Sequence, residues 1–114
     1  VGRISLDTTD LQGSNKFLAD IGLRHELETE DMLIKELRGG THLIMFKKDQ
    51  LQEQEAYFNL MAEDVDAAYE KLRGLGYEVS EMQRGKIHDM FTVTEPGGNK
   101  IRINSSHVRD HSLV

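Results

Sequence analysis

The side chains able to do chemistry in this sequence are spread thin and are of mixed kind. Five histidines stand at positions 25, 42, 88, 107 and 111. Before the C-terminal tail, no two of them have the His-x-His or i, i+4 spacing that brings two imidazoles to one ion. His42 and His88, joined by Asp7 or Asp89, are the most that residue types offer toward a metal, and an isolated histidine is more often a surface or hydrogen-bonded group. There is no cysteine, which removes thiolate metal sites, a disulfide framework and a cysteine nucleophile together. Spacing marks no Ser-His-Asp set. What remains is a group of residues that bind: Arg3, Ser5 and Asp7; His42, Ile44 and Phe46; Tyr57, Asn59 and Met61; Lys100, Arg102 and Asn104. In that group Arg3 and Arg102 suit an anion held by charge-assisted hydrogen bonds. His42 and Asn59 would fix polar groups, and Phe46, Tyr57 and Met61 would supply apolar contact. The competing reading is that Arg3 and Arg102 simply pair with Asp7 or nearby glutamates, because ion pairs in clefts are common without being functional.

The segments carrying these residues belong to a pattern that occurs twice. Ile4-Ser5-Leu6 alternates, Asp10-Leu11 opens a helical stretch and Gly22 ends it; Phe58-Asn59-Leu60, Asp64-Val65 and Gly76 repeat the sequence of events. At one constant offset Leu6 meets Leu60, Leu18 meets Leu72 and Ile21 meets Leu75. In the second helix Asp64 is the capping carboxylate, Asp66 lies in the first turn, and Val65, Ala68, Leu72 and Leu75 form one stripe. In the first, Phe17, Leu18 and Ile21 recur at helical spacing although Gly13 and Ser14 are poor helix formers. Gly22 and Gly76 are expected as left-handed caps. Three strands should follow each helix: Leu23 to Leu27, Met32 to Leu37 and Thr41 to Lys47, then Tyr77 to Met82, His88 to Thr94 and Asn99 to Asn104. Gly39-Gly40 and Pro96-Gly97-Gly98-Asn99 make hairpin connections. The chain therefore reads as α+β, two βαβββ modules at about 1–48 and 56–106 joined by the polar stretch 48–55. Together they make a single domain over 1–107, with 108–114 as a tail.

A chain of 114 residues can bury a core without staples. Its formal charge of −6 has the wrong sign for neutralising phosphates, so nucleic acid is not an expected partner. Apolar runs such as Leu43-Ile44-Met45-Phe46 fall far short of the roughly twenty residues that cross a bilayer. No signal peptide is visible, and a soluble cytoplasmic protein without membrane attachment is expected. Alternation assigns the faces. Ile4, Leu6, Leu43, Met45, Phe58, Leu60, Ile101 and Ile103 should pack beneath the helices, leaving the chemistry-bearing set on the other side. There Ile44, Phe46, Tyr57 and Met61 would sit exposed together, and such a patch usually marks a binding surface. That side is read as the inside of a cup; the alternatives are a solvated face or one covered by a second copy.

In Asp64-Val65-Asp66-Ala67-Ala68, Leu75-Gly76 and Glu95-Pro96-Gly97-Gly98-Asn99-Lys100-Ile101-Arg102-Ile103 the sequence resembles the vicinal oxygen chelate superfamily, that of glyoxalases, bleomycin resistance proteins and dioxygenases. Asp10, Lys16-Phe17-Leu18 and Ile21-Gly22 extend the resemblance over the first module. It implies the glyoxalase/bleomycin resistance fold, an open barrel-like cup, and a homodimer. It also implies the positions at which metal enzymes of the family carry His or Glu, and here these hold Arg3, His42 or Ile44, Tyr57 and Arg102. A fixed cation about 4 Å from a divalent ion costs roughly 8 kcal/mol at an effective dielectric of about 20. Chelation also wants about three His, Glu, Asp or Cys ligands, so neither a metal nor another cofactor is expected. The reading is a metal-free small-molecule binder, sequestering an antibiotic-like or anionic ligand through Arg3, Asp7, His42, Ile44, Phe46, Tyr57, Asn59, Met61 and Arg102. The alternatives are a metal-dependent lyase, isomerase or dioxygenase with unusual ligands, and an interaction module whose polar sheet face is covered by another protein.

Overall fold

Each helix begins on an aspartate that caps it: Asp10 Oδ1 accepts from the Gly13 N–H at 2.9 Å, and Asp64 Oδ1 accepts from the Ala67 N–H at 2.9 Å. These bonds satisfy donors that have no partner inside the helix. The helices are α1, Leu11–Asp20, and α2, Val65–Gly74. Both end in the same double hydrogen bond, from Gly22 N–H to Ala19 O with Leu23 N–H to Leu18 O, and from Gly76 N–H to Arg73 O with Tyr77 N–H to Leu72 O. That closure needs a left-handed residue, and Gly22 and Gly76 supply it with φ of 96° and 91°. No helix among the described residues is long and apolar enough to cross a membrane.

A computed structural model describes residues 2–50 and 54–105, so the expected tail 108–114 and residues 51–53 of the expected linker lie outside the described residues. They fall into two compact units, one reaching through Gln54 and including Glu95–Asn99, the other comprising Glu55–Thr94 and the residues from Lys100. The first unit holds a sheet of β1, Arg3–Thr8, β2, Arg24–Glu28, β3, Met32–Glu36, and β4, His42–Lys47. The strand order is β1-β4-β3-β2, with β1 parallel to β4 and the other pairs antiparallel. Helix α1 packs on β3 and β4, over buried Leu6, Phe17, Leu18, Leu33, Leu43 and Met45. Ile4, expected in that core, is only half-buried.

Lys35 shares the core side of β3 with Leu33 and is 3% exposed. Its ammonium donates to His25 Nδ1 at 3.1 Å. Burial lowers its pKa below the ordinary lysine value, opposed by the charge of Glu28. Below that lowered pKa the ammonium is charged in both folded and unfolded chains and the folded state carries the desolvation cost; as pH rises toward the unfolded value the folded chain loses its proton first, so stability rises. Lys35→Met, of similar length and apolar, is expected to stabilise the first unit by about 1 kcal/mol at neutral pH. The gain should shrink as pH climbs toward about 10.4, measured by urea denaturation at both pH values.

The second unit's sheet contains β5, Gln54–Ala62, β6, Glu78–Val79, β7, Gln83–Arg84, β8, Asp89–Thr94, and β9, Asn99–Ser105. Its order is β5-β9-β8-β6, with β7 also on β8. The strand expected over 77–82 is thus reduced to β6, and a second short pairing, β7, follows beyond its expected end. At the break the Ser80 hydroxyl accepts the Thr92 N–H at 2.8 Å where a ladder carbonyl would otherwise accept it, while the Ser80 N–H still donates to Thr92 O at 2.8 Å, so one of the two backbone bonds is lost. Leu60, Val65, Leu72, Phe91, Val93, Ile101 and Ile103 are buried, and Tyr69 meets Phe91 edge-on with centroids 5.2 Å apart. Phe58 is half-buried. Leu75, expected on the buried stripe of α2, is 48% exposed, because it is the C-cap residue where the chain leaves the helix.

Arg84 ties the start of α2 to the sheet, reaching Asp66 at 2.6 Å and Asp89 at 2.9 Å. The hydrogen bond from Arg84, helped by its charge, holds the Asp66 carboxyl below the usual carboxylate range. A depressed folded pKa contributes stability that is present above the unfolded value and is lost as pH falls through the folded one. Arg84→Gln should return the Asp66 midpoint, followed by carboxyl NMR, to near 3.9, with a small change in stability because the pair is solvent-exposed.

Candidate functional site

Register decides which side chains stand side by side on the outward face of the first sheet. One row runs Arg3, His42, Glu36, Arg24; the next Ser5, Ile44, Ile34, Leu27; the third Asp7, Phe46, Met32. The first row is charged. Arg24 Nη2 lies 2.6 Å from Glu36 Oε1, whose other oxygen is 3.7 Å from His42 Nε2. The other rows form an apolar band in which Ile44 is 8% exposed, Phe46 40% and Leu27 44%. Of the expected site residues, this sheet therefore brings Arg3 beside His42, and Asp7 and Phe46 beside the row of Ile44. The sequence reading missed Arg24, Leu27, Met32, Ile34 and Glu36; alternation along β3 gives the face of three of them, but only the pairing of β3 with β4 puts them next to the others.

The competing reading of Arg3 is not realised. Among the described residues neither Arg3 nor the Asp7 carboxylate makes an ion pair or side-chain hydrogen bond, and on β1 the two lie at opposite ends of the face. His25 is taken by Lys35. His88 Nδ1 donates to the Ser105 carbonyl at 2.8 Å. His107 and His111 lie outside the described residues.

On the second sheet, Arg102 stands opposite Thr92 and Lys100 opposite Thr94. Lys100 and Arg102 line a cleft of about 150 Å³ with Glu55, Ala56, Asn59 and Thr92. Asn59 and Arg102 are thus brought together. Met61 is 66% exposed on β5, and the backbone of Tyr57 lies in β5 while its side chain lies outside the described residues. A larger cleft, about 790 Å³, opens in the first unit at the start of α1 between Thr9, Asp10, Glu28, Asp31 and Lys47. It contains none of the expected site residues, and Asp10 there is occupied with capping.

The family's metal does not suit these residues. Of the positions that the resemblance gives to its ligands, Arg3 and Arg102 are cations at two, and at the one read as His42 or Ile44 only His42 would offer a donor. Among the described residues one trio has suitable chemistry, Glu26, Glu36 and His42, whose ligand atoms lie within 4.8 Å of one another. A β-bulge between His25 and Leu27 brings Glu26 into it. Yet Arg24 already sits on the Glu36 carboxylate, and a cation that close opposes a divalent ion by several kcal/mol.

Two helices and two open sheets with this element order define a class of α+β protein, and the family model for the Glyoxalase/Bleomycin resistance protein/Dioxygenase superfamily matches residues 1–103. The chain belongs to that superfamily. Among solved structures it is similar to lactoylglutathione lyase from Agrobacterium tumefaciens, with TM-score 0.77, 18% identity and 92% of each chain covered. It is also similar to TnmS3, an antibiotic binding protein from Streptomyces sp. CB03234, with TM-score 0.78, 19% identity, and 93% of this chain and 94% of that one covered. A bleomycin resistance determinant encoded on the transposon Tn5 gives TM-score 0.73 and 16% identity, over 93% of this chain and 97% of that one. No curated protein is a significant match in sequence.

Proposed function

We propose that the protein binds a small organic molecule on its outward sheet faces, without a metal at the family's ligand positions. The observation that carries this is the first sheet's apolar band of Leu27, Met32, Ile34, Ile44 and Phe46, exposed at Leu27 and Phe46 and buried at Ile44, bordered by the charged row from Arg3 to Arg24. A contiguous apolar surface flanked by polar groups is how small-molecule sites are commonly lined. Relatives of the same fold that are named for antibiotic binding and bleomycin resistance support a binding role. The expected form is a homodimer.

Anilinonaphthalene sulfonate, which is both apolar and anionic, is a suitable probe. Saturable fluorescence enhancement is expected, with Phe46→Ser weakening binding about tenfold, as the loss of one well-packed aromatic contact predicts. Phe46 is substantially exposed, so the substitution should leave the fold intact. The metal-dependent reading rests on Glu26, Glu36 and His42. Native mass spectrometry decides between them: a mass of two chains with no transition metal fits the proposal, whereas one ion per chain that disappears in His42→Ala overturns it.

A further inference from the structure

We propose that the small cleft on the second sheet is an oxyanion subsite for a carboxylate, sulfate or phosphate group; this rests on the binding role above and names a ligand chemistry for it. Lys100 and Arg102 are two positions apart on β9 and so project to one side, where both line the cleft. Thr92 stands directly across from Arg102, and Asn59 comes from β5. The lining thus offers a planar guanidinium fork, an ammonium, a hydroxyl and an amide from separate strands, a donor set matched to the several oxygens of one anion.

Three further observations sharpen the assignment. Arg102 makes no ion pair or hydrogen bond to a side chain among the described residues, so its fork is not already spent on a neighbouring carboxylate. The cleft measures about 150 Å³. That is too small for a whole drug-sized ligand, which fills about 300 Å³ or more, but it suits a single charged end group. Glu55 is the one carboxylate in the lining. Its oxygens suit a hydroxyl or ammonium borne beside the anionic group.

The test is titration of 15N-labelled full chain with inorganic phosphate and, separately, acetate, at constant ionic strength, following backbone amides and arginine side-chain signals by NMR. Saturable shifts confined to Asn59, Thr92, Lys100 and Arg102 are expected. Arg102→Gln should weaken binding about tenfold or more, as loss of a charged hydrogen-bonding partner predicts. Arg73→Gln, the same charge change on the exposed surface of α2, should leave it unchanged. Binding of phosphate alone narrows the class to phosphate-like ligands, and of acetate alone to carboxylates. Shifts that are linear in concentration, spread over the surface, or equal in the two variants overturn the subsite. The fluorescence probe on the Phe46 face reads the other proposal separately: enhancement there without an anion response removes the subsite alone, and an anion response without enhancement removes the apolar face alone.

Discussion

Gly97→Ala is expected to destabilise the first unit by about 3 kcal/mol or more, seen as a large fall in the urea midpoint with circular dichroism as the probe. A methyl group at that position would lie 1.8 Å from Thr8 Oγ1, 2.7 Å from Thr8 Cβ and 2.6 Å from Ser14 Oγ. None of these atoms is the free end of a flexible chain. Thr8 and Ser14 are each 0% exposed, and their hydroxyls are hydrogen-bonded to each other at 2.7 Å. The clash must therefore be relieved by moving the turn away from β1, which breaks the bond from Thr9 N–H to Gly97 O at 3.2 Å. The neighbouring glycine is the control. Gly98 has φ of 102°, a backbone conformation that alanine adopts at a cost, and Gly98→Ala should cost about 1–2 kcal/mol on that ground.

Most of the local structure was legible because its causes are local. A capping aspartate followed by an apolar stripe and closed by glycine is a complete instruction for a helix, and Asp10 to Gly22 and Asp64 to Gly76 carry it in full. Strand alternation likewise placed Leu6, Leu43, Met45, Leu60, Ile101 and Ile103 in the cores. What failed depended on partners. The break after Val79 comes from Ser80 bonding to Thr92, a residue on another strand. The bulge that turns Glu26 toward Glu36 exists only in the register of β2 against β3.

The candidate site was legible as faces but not as neighbours. The types at Arg3, His42, Phe46, Asn59 and Arg102 were enough to suggest anion and apolar recognition. Period-two alternation, however, leaves the stagger between strands undetermined. Only the register shows that Glu36 stands between His42 and Arg24, which turns the best metal-ligand trio into an ion-pair row. Only the register sets Thr92 against Arg102. Whether an arginine is paired is likewise a matter of reach, which a sequence does not record.

Glu95→Ala is expected to cost about 3–5 kcal/mol, because one buried carboxylate accepts three donors from two separate parts of the chain, Ser14 and Asn99. Glu95 is 1% exposed. Its Oε1 accepts from the Ser14 hydroxyl, and its Oε2 accepts from the Asn99 N–H at 2.9 Å and from Asn99 Nδ2 at 3.0 Å. Asn99 Nδ2 also donates to the Asp7 carbonyl at 2.8 Å. A carboxylate can only accept, so Ser14 must give its proton to Glu95, and Thr8 must in turn give its own to Ser14. Thr8 Oγ1 is then left to accept the Asp10 N–H at 3.0 Å, at the residue that caps α1. The direction of every bond in this relay is fixed from the Glu95 end. Alanine leaves the Ser14 hydroxyl and both Asn99 donors facing a void. Glutamine tests the reasoning more closely: its carbonyl oxygen can serve Asn99, but its amide must donate to Ser14, which reverses Ser14 toward Thr8 and leaves the Thr8 proton without an acceptor. Glu95→Gln should therefore lose about 1–2 kcal/mol, roughly half or less of the alanine effect. A glutamine variant as stable as the parent, with the whole loss confined to alanine, would show that Glu95 matters only as volume, and the directed relay would have to be abandoned.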